Sequence, residues 1–221
     1  MTLHVDHVFV CTSADAPEAE ALVEAGLVEG SPNTHPGQGT ANRRFFFENG
    51  FLELLWVRDE CEARSALTAP TRLWDRWVGR GKSVNPFGIC FSSPDGVESI
   101  LPFTSWVYRP RYLSGERYIL FAEPPLSEPE LFALSWPQVR SHPSQPRSHP
   151  LGFCAMRSVS VGLANPTSIS GPLSAIRDIG LVKVHQSAAP ELVIEFTSRQ
   201  EVQLNVPALA LRMVGRSDAA V

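Results

Sequence analysis

The chain has 221 residues, 43% of them hydrophobic, and a formal net charge of -4. That length and composition allow one large domain or two small ones with an ordinary core, and the acidic balance offers no electrostatic footing for nucleic acid or an anionic membrane. Met1-Thr2-Leu3-His4-Val5-Asp6 lacks the basic start and apolar run of a signal peptide, and no stretch approaches a membrane span, so a cytoplasmic location is expected.

Four dispersed cysteines (Cys11, Cys61, Cys90, Cys154) without a Cys-x-x-Cys pair read as reduced thiols. No phosphate loop or dinucleotide fingerprint is present, so no nucleotide cofactor is expected.

Residues 3–11 alternate and are rich in β-branched and aromatic types, which predicts a strand with Leu3, Val5, His7, Phe9 and Cys11 on one face. Asp15 and Glu18 have capping-box spacing, and Ala19, Leu22 and Val23 follow helical periodicity as far as Gly26. A helix over 16–25 follows. After a short strand near Val28, residues 30–40 form a polar loop whose two glycines, Gly37 and Gly39, let backbone amides approach a ligand. The same composition also makes a simple turn.

Asn49-Gly50 between two apolar runs predicts a hairpin over 42–57 with a type I′ turn. Phe45, Phe47, Leu52, Leu54 and Trp56 then share a nearly apolar face, while Asn42, Arg44, Phe46, Phe51, Glu53, Leu55 and Val57 share the other. A carboxylate inside an apolar strand costs about several kcal/mol to bury alone. Glu53 therefore needs a cation, a metal or a proton as partner. Arg44 is on the same face, either as that cation or as a fork for a substrate carboxylate or phosphate.

These elements make residues 1–60 a βαβββ unit. Residues 61–85 hold a connecting helix with Leu73, Trp74, Trp77 and Val78 on one face. Residues 86–137 read as a degenerate second unit, with strands near 86–93, 105–112, 117–122 and 131–136 and a helical turn near 96–101. A linker rich in proline and histidine covers 138–155. A third βαβββ unit is expected at 156–215, because 159–161 and 180–182 align with 8–10 and 26–28, and 194–197 and 201–206 align with the hairpin. The fold class is α+β, built from repeated βαβββ modules.

Repeated βαβββ modules, a histidine on the first strand (Val5-Asp6-His7-Val8) and a glutamate on the fourth (Phe51-Leu52-Glu53-Leu54-Leu55) resemble the vicinal oxygen chelate superfamily. Segments 35–43, 52–56 and 86–90 are similar to its glyoxalase-like domain proteins, of the glyoxalase/bleomycin resistance/dioxygenase type. The resemblance implies half-open β-barrel clefts between paired modules and a divalent metal (Mg, Mn, Fe, Ni or Zn) held by the first and fourth strands of each module. Carried over, His7 and Glu53 are the ligands of the first module, with Gln203 and His142 in reserve. At the position of His7 the middle unit has Phe87 and the third Ser158; at that of Glu53 the middle unit has Ala133 or Ser135.

The resemblance further implies an enzyme of lyase, isomerase or oxygenase type acting on an oxygen-rich small molecule, or a non-catalytic protein that sequesters a small ligand. Candidate catalytic residues are Glu53, His7 and His35, and candidate substrate contacts are Arg44, Gln38, Asn42, Phe46 and Phe51. Three modules leave one without a mate, so a homodimer is expected.

Overall fold

The computed structural model describes residues 2–97, 100–138 and 142–217. The first unit comprises β1 (His4–Cys11), α1 (Ala19–Glu24), β2 (Asn33–His35), β3 (Thr40–Phe47) and β4 (Gly50–Val57). Helices α2 (Glu60–Ala63) and α3 (Leu73–Gly79) lead to β5 (Phe87–Ser92), β6 (Trp106–Tyr108), β7 (Ile119–Phe121) and β8 (Glu130–Leu134). The last part holds β9 (Phe153–Leu163), α4 (Gly171–Asp178), β10 (Val182–Gln186), β11 (Glu191–Ser198), β12 (Val202–Val206) and β13 (Leu211–Ser217).

The first two units form one eight-stranded sheet in the order β2-β3-β4-β1-β5-β8-β7-β6. β1 runs parallel to β4, β5 runs parallel to β8, and β1 and β5 meet antiparallel at the centre. The middle unit is thus the mate of the first, and the two complete a cleft within one chain. That cleft needs no second chain. Of the turn expected near 96–101, residues 98 and 99 lie outside the described residues, while the amides of Ile100 and Leu101 both donate to the Val97 carbonyl.

The last part departs from the expected third βαβββ unit. Its sheet runs β10-β9-β11-β13-β12. After α4 the chain returns directly beside β9, giving a parallel β9–β10 pair, whereas after α1 it reaches β2 at the far edge of the first sheet. β11 and β12, aligned with a hairpin by sequence, do not pair. A 3-10 turn at Pro207–Leu209 and a left-handed Ala210 (φ 48) fold β13 in between them. The two sheets share one core, in which Phe47 lies 4.5 Å from Phe196.

The hairpin slips by two residues from the expected register. Phe47 faces Gly50, Phe46 faces Phe51 and Arg44 faces Glu53, so Glu48 and Asn49 form the turn. Asn49 and Gly50 are used otherwise. The Asn49 side chain exchanges hydrogen bonds of 2.9 and 2.7 Å with the Met156 backbone on β9, and a Cβ at Gly50 would lie 2.4 Å from the Asp6 carbonyl. A slip of two preserves the side-chain alternation, so the two expected faces survive intact.

β1 deviates too. A bulge between Val5 and His7 sends Leu3 and Val5 into the main core with Val8 and Val10, while Phe9 and Cys11 line the other face. The helix α1 starts three residues later than predicted, because Asp15 and Ala16 have positive φ and Glu18 accepts the Ser13 amide instead of closing a capping box. Arg43 pairs with Glu29 and Glu20. Among the described residues no helix is long and apolar enough to cross a membrane.

Candidate functional site

The bulge in β1 decides the chemistry of the cleft. It places Asp6 out of alternation, so that its Oδ1 lies 2.7 Å from His7 Nδ1. The other ring nitrogen, Nε2, faces Glu53 Oε2 at 3.6 Å. Phe51 stacks on the imidazole at 4.3 Å and Phe132 meets it edge-on at 5.6 Å. Orientation of the ring is therefore fixed by one hydrogen bond and two aromatic contacts.

Glu53 is held in a similar way. Asn42 Nδ2 donates to Oε1 at 2.5 Å, while Asn42 Oδ1 accepts the Asn33 amide at 2.8 Å, so the side-chain amide has one orientation. Oε2 is left facing His7. Burial pushes the Asp6 carboxyl up, but the hydrogen bond and charge of His7 outweigh it and hold the group below the ordinary carboxylate range. Asp6 Oδ2 is buried with no hydrogen-bond partner among the described residues.

These groups form the floor of a cavity of about 220 Å³. His7, Glu53, His35, Gln38, Asn42, Arg44, Phe51 and His142 all line it. The middle unit adds an apolar wall of Ile119, Phe121, Phe132 and Leu134. Phe46 stands behind the lining, 5.1 Å from Phe51 and 5.2 Å from His142. Arg44 donates to the Ser31 and Pro32 carbonyls and lies 5.0 Å from the Phe46 ring, so its ties are to the rim and not to Glu53.

His35 has both nitrogens engaged. Nδ1 lies 2.8 Å from Thr40 Oγ1, and Nε2 lies 3.2 Å from Asn33 Nδ2, which donates to it. Burial holds its pKa below the usual histidine value. Gln38 donates to the same threonine hydroxyl and accepts from Tyr112 at 3.3 Å.

A glyoxalase-like domain profile matches residues 5–176. The chain belongs to the glyoxalase-like domain family. No curated protein matches its sequence. Among solved structures, a hypothetical protein from Staphylococcus aureus is similar at a TM-score of 0.55 and 10% identity, over 97% of this chain and 100% of that one. The likeness shows a shared fold that takes in both sheets.

Within this glyoxalase-like cleft the middle unit supplies no oxygen or imidazole ligand from the positions matched to His7 and Glu53. Phe87 and Ala133 point into the main core, and Ser135 bonds to the Tyr118 amide. The register partner of His7 on β5 is Cys90, fully buried beneath the cavity lining. Ligating atoms of Asp6, His7 and Cys90 all lie within 4.8 Å of one another. Burial and the nearby Asp6 and Glu53 carboxylates push the Cys90 thiol well above its usual range, so it stays protonated unless a cation sits beside it. Gln203 lies on β12 in the other sheet, exposed and bonded to Asn205, away from the cleft. The match of Gln203 to Glu53 rested on a hairpin that does not form.

Asp6 and Cys90 are the site residues that sequence reasoning missed. Strand alternation puts Asp6 on the opposite face from His7, and only the bulge reverses this. Donors held about 2.1 Å from one ion stand roughly 3.0–3.6 Å apart for right-angled to trigonal arrangements. The separation of 3.6 Å between His7 Nε2 and Glu53 Oε2 falls at the wide end of that range. The spacing of the pair fits a divalent ion.

Proposed function

We propose that the chain is a small-molecule enzyme in which a compact, oxygen-rich substrate lies with its oxygens on the Asp6–His7–Glu53 floor and its carbon skeleton against Phe51, Phe121 and Phe132. One observation carries this reading. His7 and Glu53 are each clamped at one end, by Asp6 and by Asn42, and their remaining atoms face each other at 3.6 Å in the lining of the cavity. Two groups fixed in advance and aimed together are what proton transfer or oxygen chelation requires.

Glu53 serves as the base. Oε2 is the oxygen that Asn42 leaves free, on a buried carboxylate that shares the cavity with an aromatic wall. Asp6 is a positioning residue that presents His7 Nε2 to the cavity. His35, with both nitrogens committed, positions the Thr40–Gln38–Tyr112 side of the wall. Arg44 and His142 at the rim orient a polar end of the substrate. As the alternative to that proton transfer, His7 Nε2 and Glu53 Oε2 would together hold a divalent ion, which would supply Lewis-acid polarisation of substrate oxygens.

Solvent deuterium exchange into small hydroxyketones, 2-oxo acids and catechols, followed by NMR, tests the reading. Native protein exchanges at least one of these classes, and Glu53→Gln loses exchange while keeping its melting temperature. Full exchange in the variant refutes the role of Glu53.

A second reading, sequestration of a partly apolar ligand, is favoured by the aromatic second half of the cleft. It predicts tight binding of such a ligand with no exchange or turnover in the native protein.

A further inference from the structure

The second sheet turns one face to the core and the other outward, and the outward face carries a run of hydrogen bonds across three strands. His185 on β10 and Glu191 on β11 are both register partners of Gly162 on β9. With no side chain between them, His185 Nε2 reaches Glu191 Oε2 at 2.9 Å. A Cβ at position 162 would lie 3.0 Å from His185 Nε2, 3.0 Å from Glu191 Cβ and 2.7 Å from Ser187 Cβ. The contact requires glycine there.

Two residues earlier on β9, Ser160 Oγ lies 2.9 Å from His185 Nδ1. Glu191 is also held by Arg212 Nε at 3.4 Å. Its hydrogen bonds to His185 and then Arg212 keep the carboxyl below the ordinary range, so it is ionised at neutral pH. A hydroxyl on one imidazole nitrogen and a carboxylate on the other is the arrangement that activates a serine, recognised by geometry and not by chain order. No Gly-x-Ser-x-Gly elbow marks it in the sequence, because the members come from three strands.

Ser160, His185 and Arg212 line an open hollow of about 380 Å³ with Val193 and Val214. The three hydrogen-bonded side chains are half-buried, so a small molecule can reach them. Arg212, held against Glu191, adds positive charge to the wall of the same hollow. None of these residues lines the cleft.

We propose that this face is a second, hydrolytic site for small activated esters, with Ser160 as nucleophile, His185 as base and Glu191 as the carboxylate that orients it. Ser160 Oγ bonds to the ester carbonyl carbon as its proton passes to His185; the bond to the alcohol oxygen breaks, and the proton leaves with the alcohol. Water then adds to the acyl-serine as His185 takes its proton. The carboxylic acid departs, and the proton returns to Ser160 Oγ.

The test uses the full chain with p-nitrophenyl acetate and with a fluorophosphonate probe, in native protein, Ser160→Ala, His185→Gln and Gly162→Ala, each checked for an unchanged melting temperature. The expected result is a single acetyl or phosphonyl group on the peptide containing Ser160. Nitrophenolate release falls about a hundredfold or to the buffer rate in Ser160→Ala and His185→Gln, and falls in Gly162→Ala as the added methyl parts His185 from Glu191. A native rate no faster than buffer, a rate unchanged by Ser160→Ala, or label confined to lysines overturns the proposal.

Discussion

Asn42 Nδ2 stands 2.5 Å from Glu53 Oε1, and its own Oδ1 accepts the Asn33 amide at 2.8 Å. The asparagine is thus the means by which a carboxylate is kept in an apolar strand with one oxygen free. Asn42→Ala leaves that carboxylate without its donor, which costs about 1–3 kcal/mol. Denaturant melts of the native chain and Asn42→Ala at neutral pH check the size.

Gly88 on β5 lies opposite Phe9 on β1, and a Cβ there would fall 2.0 Å from the Phe9 ring. Gly88→Ala therefore pushes an aromatic ring of the cavity lining out of place. Overpacking of this kind costs about 1–3 kcal/mol. The expected outcome is a lowered melting temperature together with weaker binding of any apolar cleft ligand in a fluorescence titration.

His149 fastens the proline-rich linker to the first unit. Its Nδ1 accepts the Val28 amide at 3.0 Å and its Nε2 donates to the Phe46 carbonyl at 2.8 Å, a pattern that only the neutral ring satisfies. Burial holds its pKa below 6.5. A depressed folded pKa contributes stability that is present above the unfolded value and is lost as pH falls through the folded one. His149→Gln removes this acid-side loss, seen as a flatter stability profile below pH 6.5 in urea titrations.

Glu130 has the opposite sign. Burial pushes its carboxyl up to about 7 despite Arg76, whose Nη2 lies 3.4 Å from Oε2. The folded chain holds this proton more tightly than the unfolded one, so its contribution is full below pH 4.5 and is lost as pH rises through about 7. Glu130→Gln abolishes that decline, and stability measured from pH 5 to 8 becomes flatter than in the native chain.

What was legible in the sequence was what alternation alone controls. The face shared by Asn42, Phe51 and Glu53 survives a hairpin slip of two residues, because a slip of two leaves every side chain on its own side. A buried glutamate in an apolar strand announces a partner, and the partners proved to be Asn42 and His7 rather than Arg44. Asp6 was hidden because a bulge depends on tertiary fit: Gly50 of β4 comes against the Asp6 carbonyl, so close that a Cβ there would lie 2.4 Å away. Cys90 became visible only when β5 paired with β1. Gln203 was misplaced because the strand inserted beside it, β13, arises from a turn at Pro207–Leu209 that local pattern does not reveal.

In the proposed function His7 and Glu53 act as one preorganised pair. The most direct measurement is isothermal titration of divalent ions (Mn, Ni, Zn) into metal-stripped native protein, His7→Ala and Glu53→Gln, with bound metal counted by elemental analysis. The expected result is one ion per native chain and loss of that binding in both variants, with melting temperatures in the absence of metal close to native. Binding that survives either substitution, or a native chain that takes up none of these ions at millimolar concentration, contradicts the pair as a metal-holding unit.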